Sequence, residues 1–291
     1  MRKWYGSIWL QLARHLLTAY GLIFLFFESY EVITNNELTL PNSVPIPDLY
    51  CVFLIGGFAF GLVTFVVDGI YRTGYLRREV VIPTRVETTN FTMKYGDIFQ
   101  EEGWKAIGVN DFFDSVVDED LVSSKSLHGI VLNRFWPQDR ENWKSQIKSS
   151  LKDANRKIEN RGKGNRNRYD IGTTARASIG DHNFLFAALG ETDIADNTTS
   201  ANTEMLIRAV RGMAREARAA CSLNPLVVPL MGDGLARVGM HPTVLADLIL
   251  TALVEESRSA KITDDIVIVI HPTLKRDTNL MNHVRKWAHA K

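Results

Sequence analysis

The sequence predicts an α/β protein in two parts, a two-helix transmembrane hairpin followed by a larger sheet layered with helices. Three observations lead to this prediction. Residues 1–75 are strongly apolar, while the remainder has an ordinary mixed composition. From residue 91 onward, short apolar stretches of strand length alternate with stretches of helical periodicity. A length of 291 residues accommodates two such units.

Two apolar stretches have the length of membrane spans, and we assign them to about 8–33 and 49–71. Residues 49–67 are nineteen residues without a charge, and as a helix they would rise about 28 Å, close to the thickness of the hydrocarbon core. The first span contains Arg14 and His15. We expect Arg14 to snorkel to the membrane surface because it lies near one end; the alternative is a polar interior between subunits.

Charges beside the spans predict their orientation. The loop that joins them carries acidic residues and no Lys or Arg. Basic residues lie on the other side: Arg2, Lys3, Arg14, Arg72, Arg77 and Arg78. The positive-inside rule therefore places both termini in the cytoplasm. Gly57 and Gly61 form a small-xxx-small pair that would let helices of separate copies pack closely, although glycine is also simply common in membrane helices.

A linker at 76–87 is expected to lead into a cytoplasmic α/β domain at 88–291. Apolar runs predict strands and periodic runs predict helices. The strands are expected at 105–109, 184–189, 226–229 and 266–270, and the helices at 140–158, 203–221 and from 244 onward. The segment 127–135 is expected to follow a turn at His128-Gly129.

Charge and composition narrow the classes of function. A net charge of +1 gives no general argument for nucleic-acid binding, and the basic segment 152–168 lacks interleaved aromatic residues. That segment is either a flap over an anionic ligand or lipid headgroups, or a solvated loop, and the second is expected for most of its side chains. Two cysteines and the scattered histidines give no disulfide framework and no metal pattern.

The stretch 226–239 (LVVPLMGDGLARVG) organises the α/β part. A buried strand runs into Gly232-Asp233-Gly234, and a helix follows, which is how backbone N–H groups are brought close to a phosphate. Glycine permits this approach because it has no Cβ. The alternative is an ordinary strand-to-helix turn. The pattern is neither a Walker motif nor the dinucleotide fingerprint.

Four motifs in order carry a resemblance: Gly96-Asp97-Ile98, Gly108-Val109-Asn110, the run 169–175 (YDIGTTA) and the run 229–237 (PLMGDGLAR). This ordered set resembles the macro domain, an α/β/α sandwich that holds ADP-ribose. It is most similar to the branch found in Thoeris anti-phage defence effectors, where two membrane helices precede the macro domain. The resemblance covers about residue 88 to the end of the sequence, together with the layout of the N-terminal part.

The resemblance implies roles for individual residues. Asp97 and Ile98 would meet the adenine, Asn110 the distal ribose, and a loop at Gly172, Thr173 and Thr174 would line the cleft. The diphosphate would be wrapped by Gly232, Asp233, Gly234, Leu235, Ala236 and Arg237. Ser126, His128 and Gly129 would replace the glycine run of the first phosphate loop. Asp233 is unfavourable beside a diphosphate unless it turns outward, or accepts from a ribose hydroxyl or from a cationic extension of the ligand.

The resemblance also implies a function. Loss of the first glycine run favours a reader of an ADP-ribose derivative over an enzyme, with no cofactor and no catalytic residue. The signal would be a histidine–ADP-ribose conjugate made by a TIR-domain partner. Binding would drive homo-oligomerisation and disruption of the bacterial inner membrane, ending in abortive infection. Two alternatives remain: a membrane-tethered ADP-ribosyl hydrolase, and a regulatory subunit of a channel or transporter.

Overall fold

The structure divides into two compact units, Met1–Arg77 and Arg78–Lys291. It is a computed structural model and describes residues 8–34, 46–232 and 238–289. The predicted charges at Arg2 and Lys3 and most of the loop between the two spans lie outside these ranges.

The first unit is a pair of antiparallel helices, α1 (Ile8–Thr34) and α2 (Ile46–Val67), and α2 continues into a π-helical turn at Asp68–Arg72. By length and composition the unit has two helices that could cross a membrane, with candidate spans Trp9–Phe26 and Phe53–Arg72. Their outward surfaces are apolar, since Leu17 is 73% exposed and Ile55 is 70% exposed. Arg14 is also exposed.

Glycines of α2 let the two helices approach each other. A Cβ at Gly57 would meet the ring of Tyr20, and a Cβ at Gly61 would lie 2.8 Å from Leu16 Cδ2 and 3.0 Å from Leu16 Cα. The Tyr20 hydroxyl donates to the Leu54 carbonyl oxygen at 2.7 Å. Gly57 and Gly61, which we expected between copies, therefore face α1 of the same hairpin.

The second unit is built on one mixed sheet. Its strands are β1 (Glu79–Val81), β2 (Asn90–Tyr95), β3 (Trp104–Asn110), β6 (Thr174–Ile179), β7 (His182–Thr192), β8 (Thr199–Ser200), β9 (Leu226–Pro229) and β10 (Asp265–Ile270). The order across the sheet is β1-β2-β10-β9-β3-β7-β6, with β8 paired to β7. The central strands β2, β10, β9, β3 and β7 are parallel, and β1 and β6 close the edges antiparallel. A separate two-stranded sheet joins β4 (Arg156–Ile158) and β5 (Asn167–Tyr169).

Helices cover both faces of this sheet. The helices are α3 (Leu127–Phe135), α4 (Arg140–Ser150), α5 (Thr203–Ala220), α6 (Pro242–Ser259) and α7 (Leu280–His289). Side chains of α5, α6 and α7 share one buried cluster with Met93 and Leu226. Those of α3 and α4 share another with Ile107 and Phe186. The predicted α/β/α sandwich is confirmed.

Central parallel strands are buried on both faces and are therefore nearly continuous apolar runs. Residues 184–190 of β7 are all buried, and so is every residue of β9. Helix α5 begins where Asn202 accepts from the Met205 N–H, and α6 begins at Pro242 after the cap His241. The strands predicted at 105–109, 184–189, 226–229 and 266–270 are all present. The helices predicted at 203–221 and from 244 onward are also present, and the second begins two residues earlier, at Pro242.

Three segments differ from expectation. The helix predicted at 140–158 ends at Ser150, because 156–158 pair with 167–169 as a β-hairpin. His128 and Gly129 lie in the first turn of α3, and the turn that precedes the helix is at residues 124 and 125, where the Ser126 N–H donates to the Ser123 carbonyl oxygen at 3.1 Å. Within the predicted linker, 79–81 form the edge strand β1, whose Val80 is buried in the core.

Candidate functional site

The carboxyl ends of the parallel strands gather several of the predicted site residues at one edge of the sheet. Asp97 follows β2, Asn110 ends β3, and Gly232 follows β9. In parallel α/β sheets this edge is where ligands bind. The predicted residues Asp233, Gly234, Leu235, Ala236 and Arg237 lie outside the described residues.

Asp97 is an exposed cap at this edge. Its carboxylate oxygen Oδ1 accepts from the Phe99 N–H at 3.0 Å and starts a short 3-10 helix at Ile98–Gln100. Ile98 is buried below it. The cap fixes the direction of the carboxylate, and the exposed position leaves Asp97 accessible to a ligand.

Asn110 is buried and its amide has a defined orientation. Nδ2 donates to Asp114 Oδ2 at 2.8 Å, and Oδ1 accepts from the Asp114 N–H at 3.1 Å. Only this placement of the amide oxygen and the amide nitrogen satisfies both hydrogen bonds, because a carboxylate cannot donate and an N–H cannot accept.

A cavity of about 470 Å³ lies beside Asn110. Ser126 and His128 line it from the start of α3, and Gly190 lines it from the end of β7. Carboxylates also line it, contributed by Glu119, Asp120 and Asp196. A pocket with this lining suits a ligand that carries a positive or hydrogen-bonding group.

Ser126 and Gly129 build the tight start of α3. Ser126 Oγ accepts from the Gly129 N–H at 3.0 Å and donates to the Ser123 carbonyl oxygen at 2.7 Å. A Cβ at Gly129 would meet that same carbonyl oxygen, so only glycine fits without a shift of the backbone. Ser126 therefore lines the cavity and caps α3, whereas Gly129 is not part of the described lining and permits the close approach of the Ser123 carbonyl oxygen.

His128 is a buried imidazole, 4% exposed, in the lining of the cavity. Its ring lies 5.7 Å from the Trp143 ring and 6.1 Å from the Phe186 ring. Burial, with a smaller contribution from the Arg140 charge, lowers the pKa of His128 to about 3. The imidazole is therefore neutral at cellular pH, and within the described ranges its Nε2 has no hydrogen-bond partner.

Gly172, Thr173 and Thr174 lie outside the lining of this cavity, at the start of β6, which pairs with β7. Gly172 has φ +94°, and a Cβ there would lie 2.7 Å from the Arg208 carbonyl oxygen. Its N–H donates to the Ala188 carbonyl oxygen at 2.9 Å. The glycine is explained by close packing of strand on helix, and the described lining of the cavity does not include any of the three.

Gly232 has the backbone conformation of a tight turn, with φ +89°. Its carbonyl oxygen accepts from the Val238 N–H at 3.2 Å. A Cβ at this position would lie 2.7 Å from Val238 Cγ2. Glycine is therefore required here to close the loop between β9 and α6, whatever the loop binds.

Two buried ion pairs beside Asn110 were missed by sequence reasoning. Asp114 Oδ2 pairs with Arg161 Nη1 at 2.7 Å, with both side chains 1% exposed. Asp111 Oδ2 pairs with Arg168 Nε at 2.6 Å. Burial raises the pKa of Asp111, while the hydrogen bonds from Thr192 and Arg168 oppose that rise.

These pairs revise the interpretation of the basic segment 152–168. Arg156, Lys157 and Arg166 are exposed, as expected of a solvated loop. Arg161 and Arg168 instead hold the loop that follows β3, so Arg161 is neither solvated nor available as part of a flap. The signal was present in the sequence, since Asp111 and Asp114 come within four residues of Asn110 at the end of a buried strand and, once buried, need cations.

Comparison with known proteins gives consistent results. The family model for the macro domain of Thoeris protein ThsA matches residues 91–271. Thoeris protein ThsA of Bacillus amyloliquefaciens (strain Y2) is 25% identical over 150 residues, which are 50% of this chain and 49% of that relative. The match therefore spans about half the length of the curated relative.

Solved macrodomains also align with the chain. An Oceanobacillus iheyensis macrodomain with ADP has a TM-score of 0.48 and 10% identity, over 72% of this chain and 95% of that one. A Trypanosoma brucei macrodomain in complex with ADP-ribose has a TM-score of 0.45 and 8% identity, over 72% of this chain and 74% of that one.

Proposed function

The chain belongs to the family of the Thoeris ThsA macro domain, and from that premise we propose that it is a membrane effector of anti-phage defence that reads an ADP-ribose-derived signal. The observation that carries the proposal is the edge of the sheet where Asp97, Asn110 and Gly232 follow parallel strands beside a cavity. Adenine would meet Asp97 and Ile98, and the distal ribose would meet Asn110.

The signal that fits this site best is ADP-ribose conjugated to histidine, made by a TIR-domain partner. The cavity beside Asn110 is where a substituent on the distal ribose would extend, and its volume of about 470 Å³ accommodates an amino acid. The carboxylates of Glu119 and Asp196 complement the positive charge of an amino group, whereas Asp120 is already paired with Lys163 Nζ at 2.7 Å.

We propose a reader and not an enzyme. The segment 111–126 contains no glycine, whereas the macro-domain resemblance leads one to expect a glycine run that positions a catalytic water. Asp111 and Asp114, which lie in this segment, are engaged with Arg168 and Arg161. Binding without turnover is the behaviour expected of a site that holds its ligand to stabilise one state of the protein.

We propose that binding of this signal leads to a change at the membrane. Two apolar helices form a hairpin with exposed Leu17 and Ile55, which favours a lipid surrounding. Ligand binding would shift an equilibrium toward homo-oligomers, whose hairpins would then breach the bacterial inner membrane. A ligand can do this only if it binds the assembled state more tightly.

The test is calorimetric titration of the full chain in detergent micelles with ADP-ribose, its histidine conjugate and NAD. We expect the conjugate to bind most tightly and to be recovered intact, and Asn110→Ala to weaken both ADP-ribose ligands. Asp196→Asn keeps the turn at 196–198 because Asn can accept the same bonds, so it should weaken the conjugate alone. Turnover of any ligand would favour the hydrolase, and absence of binding would remove the proposed ligand class.

A further inference from the structure

The geometry points to a positioning role for the buried ion pair between Asp114 and Arg161: it holds the Asn110 amide in the orientation that recognises the distal ribose. The inference rests on the proposed function and adds to it. It makes residues 156–169, which we name the basic hairpin, a determinant of ligand selectivity although Arg161 would never touch the ligand.

The Asn110 amide is held in one orientation by two hydrogen bonds to Asp114. Its Nδ2 donates to Asp114 Oδ2 and its Oδ1 accepts from the Asp114 N–H. An asparagine amide has two donor hydrogens and two acceptor lone pairs. One of each is used by Asp114, so one donor and one acceptor remain, in fixed directions, for the hydroxyl groups of a ribose.

The Asp114 carboxylate is held in turn by Arg161 and by the Asn165 backbone. Arg161 Nη1 donates to Oδ2, the same oxygen that Asn110 contacts, at 2.7 Å. The Asn165 N–H donates to Oδ1 at 2.8 Å. A carboxylate buried to 1% exposure needs a cation and hydrogen bonds to remain charged inside a protein. Arg161 is therefore what keeps Asp114 in contact with Asn110.

The Arg161 guanidinium contacts Asn197 and the Phe112 ring. Its Nε donates to Asn197 Oδ1 at 3.0 Å, and its guanidinium lies 4.4 Å from the centre of the Phe112 ring. Gly164 lies against the pair, since a Cβ there would be 2.6 Å from Asp114 Oδ1 and 2.9 Å from Arg161 Nη1. The orientation of Asn110 thus depends on the closed form of the basic hairpin.

The chain contains a matched control for this pair. Arg168, also on the basic hairpin, pairs with Asp111, the residue next to Asn110. Asp111 accepts from the Thr192 N–H at 3.1 Å, and its carboxylate does not contact the Asn110 side chain. Loss of Arg168 should loosen the same hairpin without releasing the amide, so the two pairs separate a positioning role from an anchoring role.

The experiment compares affinities of the full chain in micelles for ADP-ribose and for ADP, which lacks the distal ribose. Arg161→Gln alone would strand a buried carboxylate, so the main variant is Asp114→Leu/Arg161→Met, which removes both charges and also the oxygen that accepts from Asn110 Nδ2. We expect it to lose at least tenfold in affinity for ADP-ribose while ADP binds as in the wild type. Arg161→Lys retains the charge and should lose less. The matched double variant Asp111→Leu/Arg168→Met, which removes the other ion pair, should keep the wild-type ratio of the two affinities.

The outcomes separate the two ideas. If the wild type does not bind ADP-ribose, the proposed function fails and the inference fails with it. If the wild type prefers ADP-ribose over ADP and Asp114→Leu/Arg161→Met keeps that preference, the positioning role is overturned while the proposed function stands. Equal losses for both ligands in Asp114→Leu/Arg161→Met and in Asp111→Leu/Arg168→Met would likewise reduce the pair to a structural anchor and overturn the inference.

Discussion

His128 shows how a single residue couples the cavity to the stability of the α/β unit. The imidazole is enclosed by Trp143 and Phe186 and its pKa is lowered to about 3. In the unfolded chain a histidine has a pKa of about 6.5. Between these two values the unfolded state binds a proton that the folded state does not, so folding must become less favourable as the pH falls.

We expect the free energy of unfolding to fall below pH 6.5, with His128 contributing up to about 1.4 kcal/mol per pH unit. The contribution is fully present above pH 6.5. Urea unfolding followed by tryptophan fluorescence at several pH values measures the slope. His128→Leu should flatten the slope, whereas His182→Leu, at an exposed histidine, should leave it as in the wild type. Equal slopes in wild type and His128→Leu would contradict the assignment.

Sequence reasoning at the scale of residues identified positions better than partners. Asn110 was found because it ends a strand within a family motif. Its partner Asp114 was not found, and neither was Arg161, because the side chains that surround a buried charge come from segments 47 residues apart. The packing role of Gly172 was also not found, because a Cβ there would meet the Arg208 carbonyl oxygen, a contact that no local pattern reveals.

At the scale of elements, the conformation of the basic hairpin depends on Gly164 and not on the nearby Gly162. Gly164 has φ +86° and its missing Cβ leaves room for Asp114 and Arg161. Gly162 has nothing within 4 Å of the place where a Cβ would lie. The two glycines therefore form a natural pair for comparison.

Gly164→Ala should destabilise the protein by about 1–3 kcal/mol, because it adds backbone strain and a clash with a buried ion pair. Gly162→Ala should change stability little. Chemical denaturation of both variants, beside the wild type, measures the difference. A result in which the two substitutions cost the same would mean that the hairpin does not close on Asp114 as described.

Elements with strong periodicity could be predicted, and elements that depend on distant pairing could not. The amphipathic periodicity of α5 is sufficient to predict a helix, and the apolar run of β10 is sufficient to predict a strand. The segment 140–158 has helical character throughout, yet its last part pairs with 167–169 in a hairpin held by buried ions. Likewise, β1 has only three residues, which is too short to be recognised as a strand from the sequence, and it is defined by its pairing with β2.

At the scale of the whole molecule, the family places a macro domain in a chain that also carries an apolar hairpin. The composition of residues 1–75 was sufficient to predict that hairpin, because a continuous apolar run has few alternatives. The proposed function requires that occupancy of the α/β unit changes the behaviour of the hairpin, which demands different affinities of the ligand for two states.

The resulting prediction concerns liposomes that contain a trapped dye and carry the full chain. We expect the histidine–ADP-ribose conjugate to release dye from liposomes with wild-type protein and not from those with Asn110→Ala at the same concentration. Gly61→Leu should bind the conjugate normally but release less dye, because its side chain would meet Leu16 and separate the helices. Gly56→Leu is the control, since nothing lies within 4 Å of a Cβ there. Equal release with and without the conjugate would contradict a ligand-gated effector, because the ligand would then have no differential affinity for the active state.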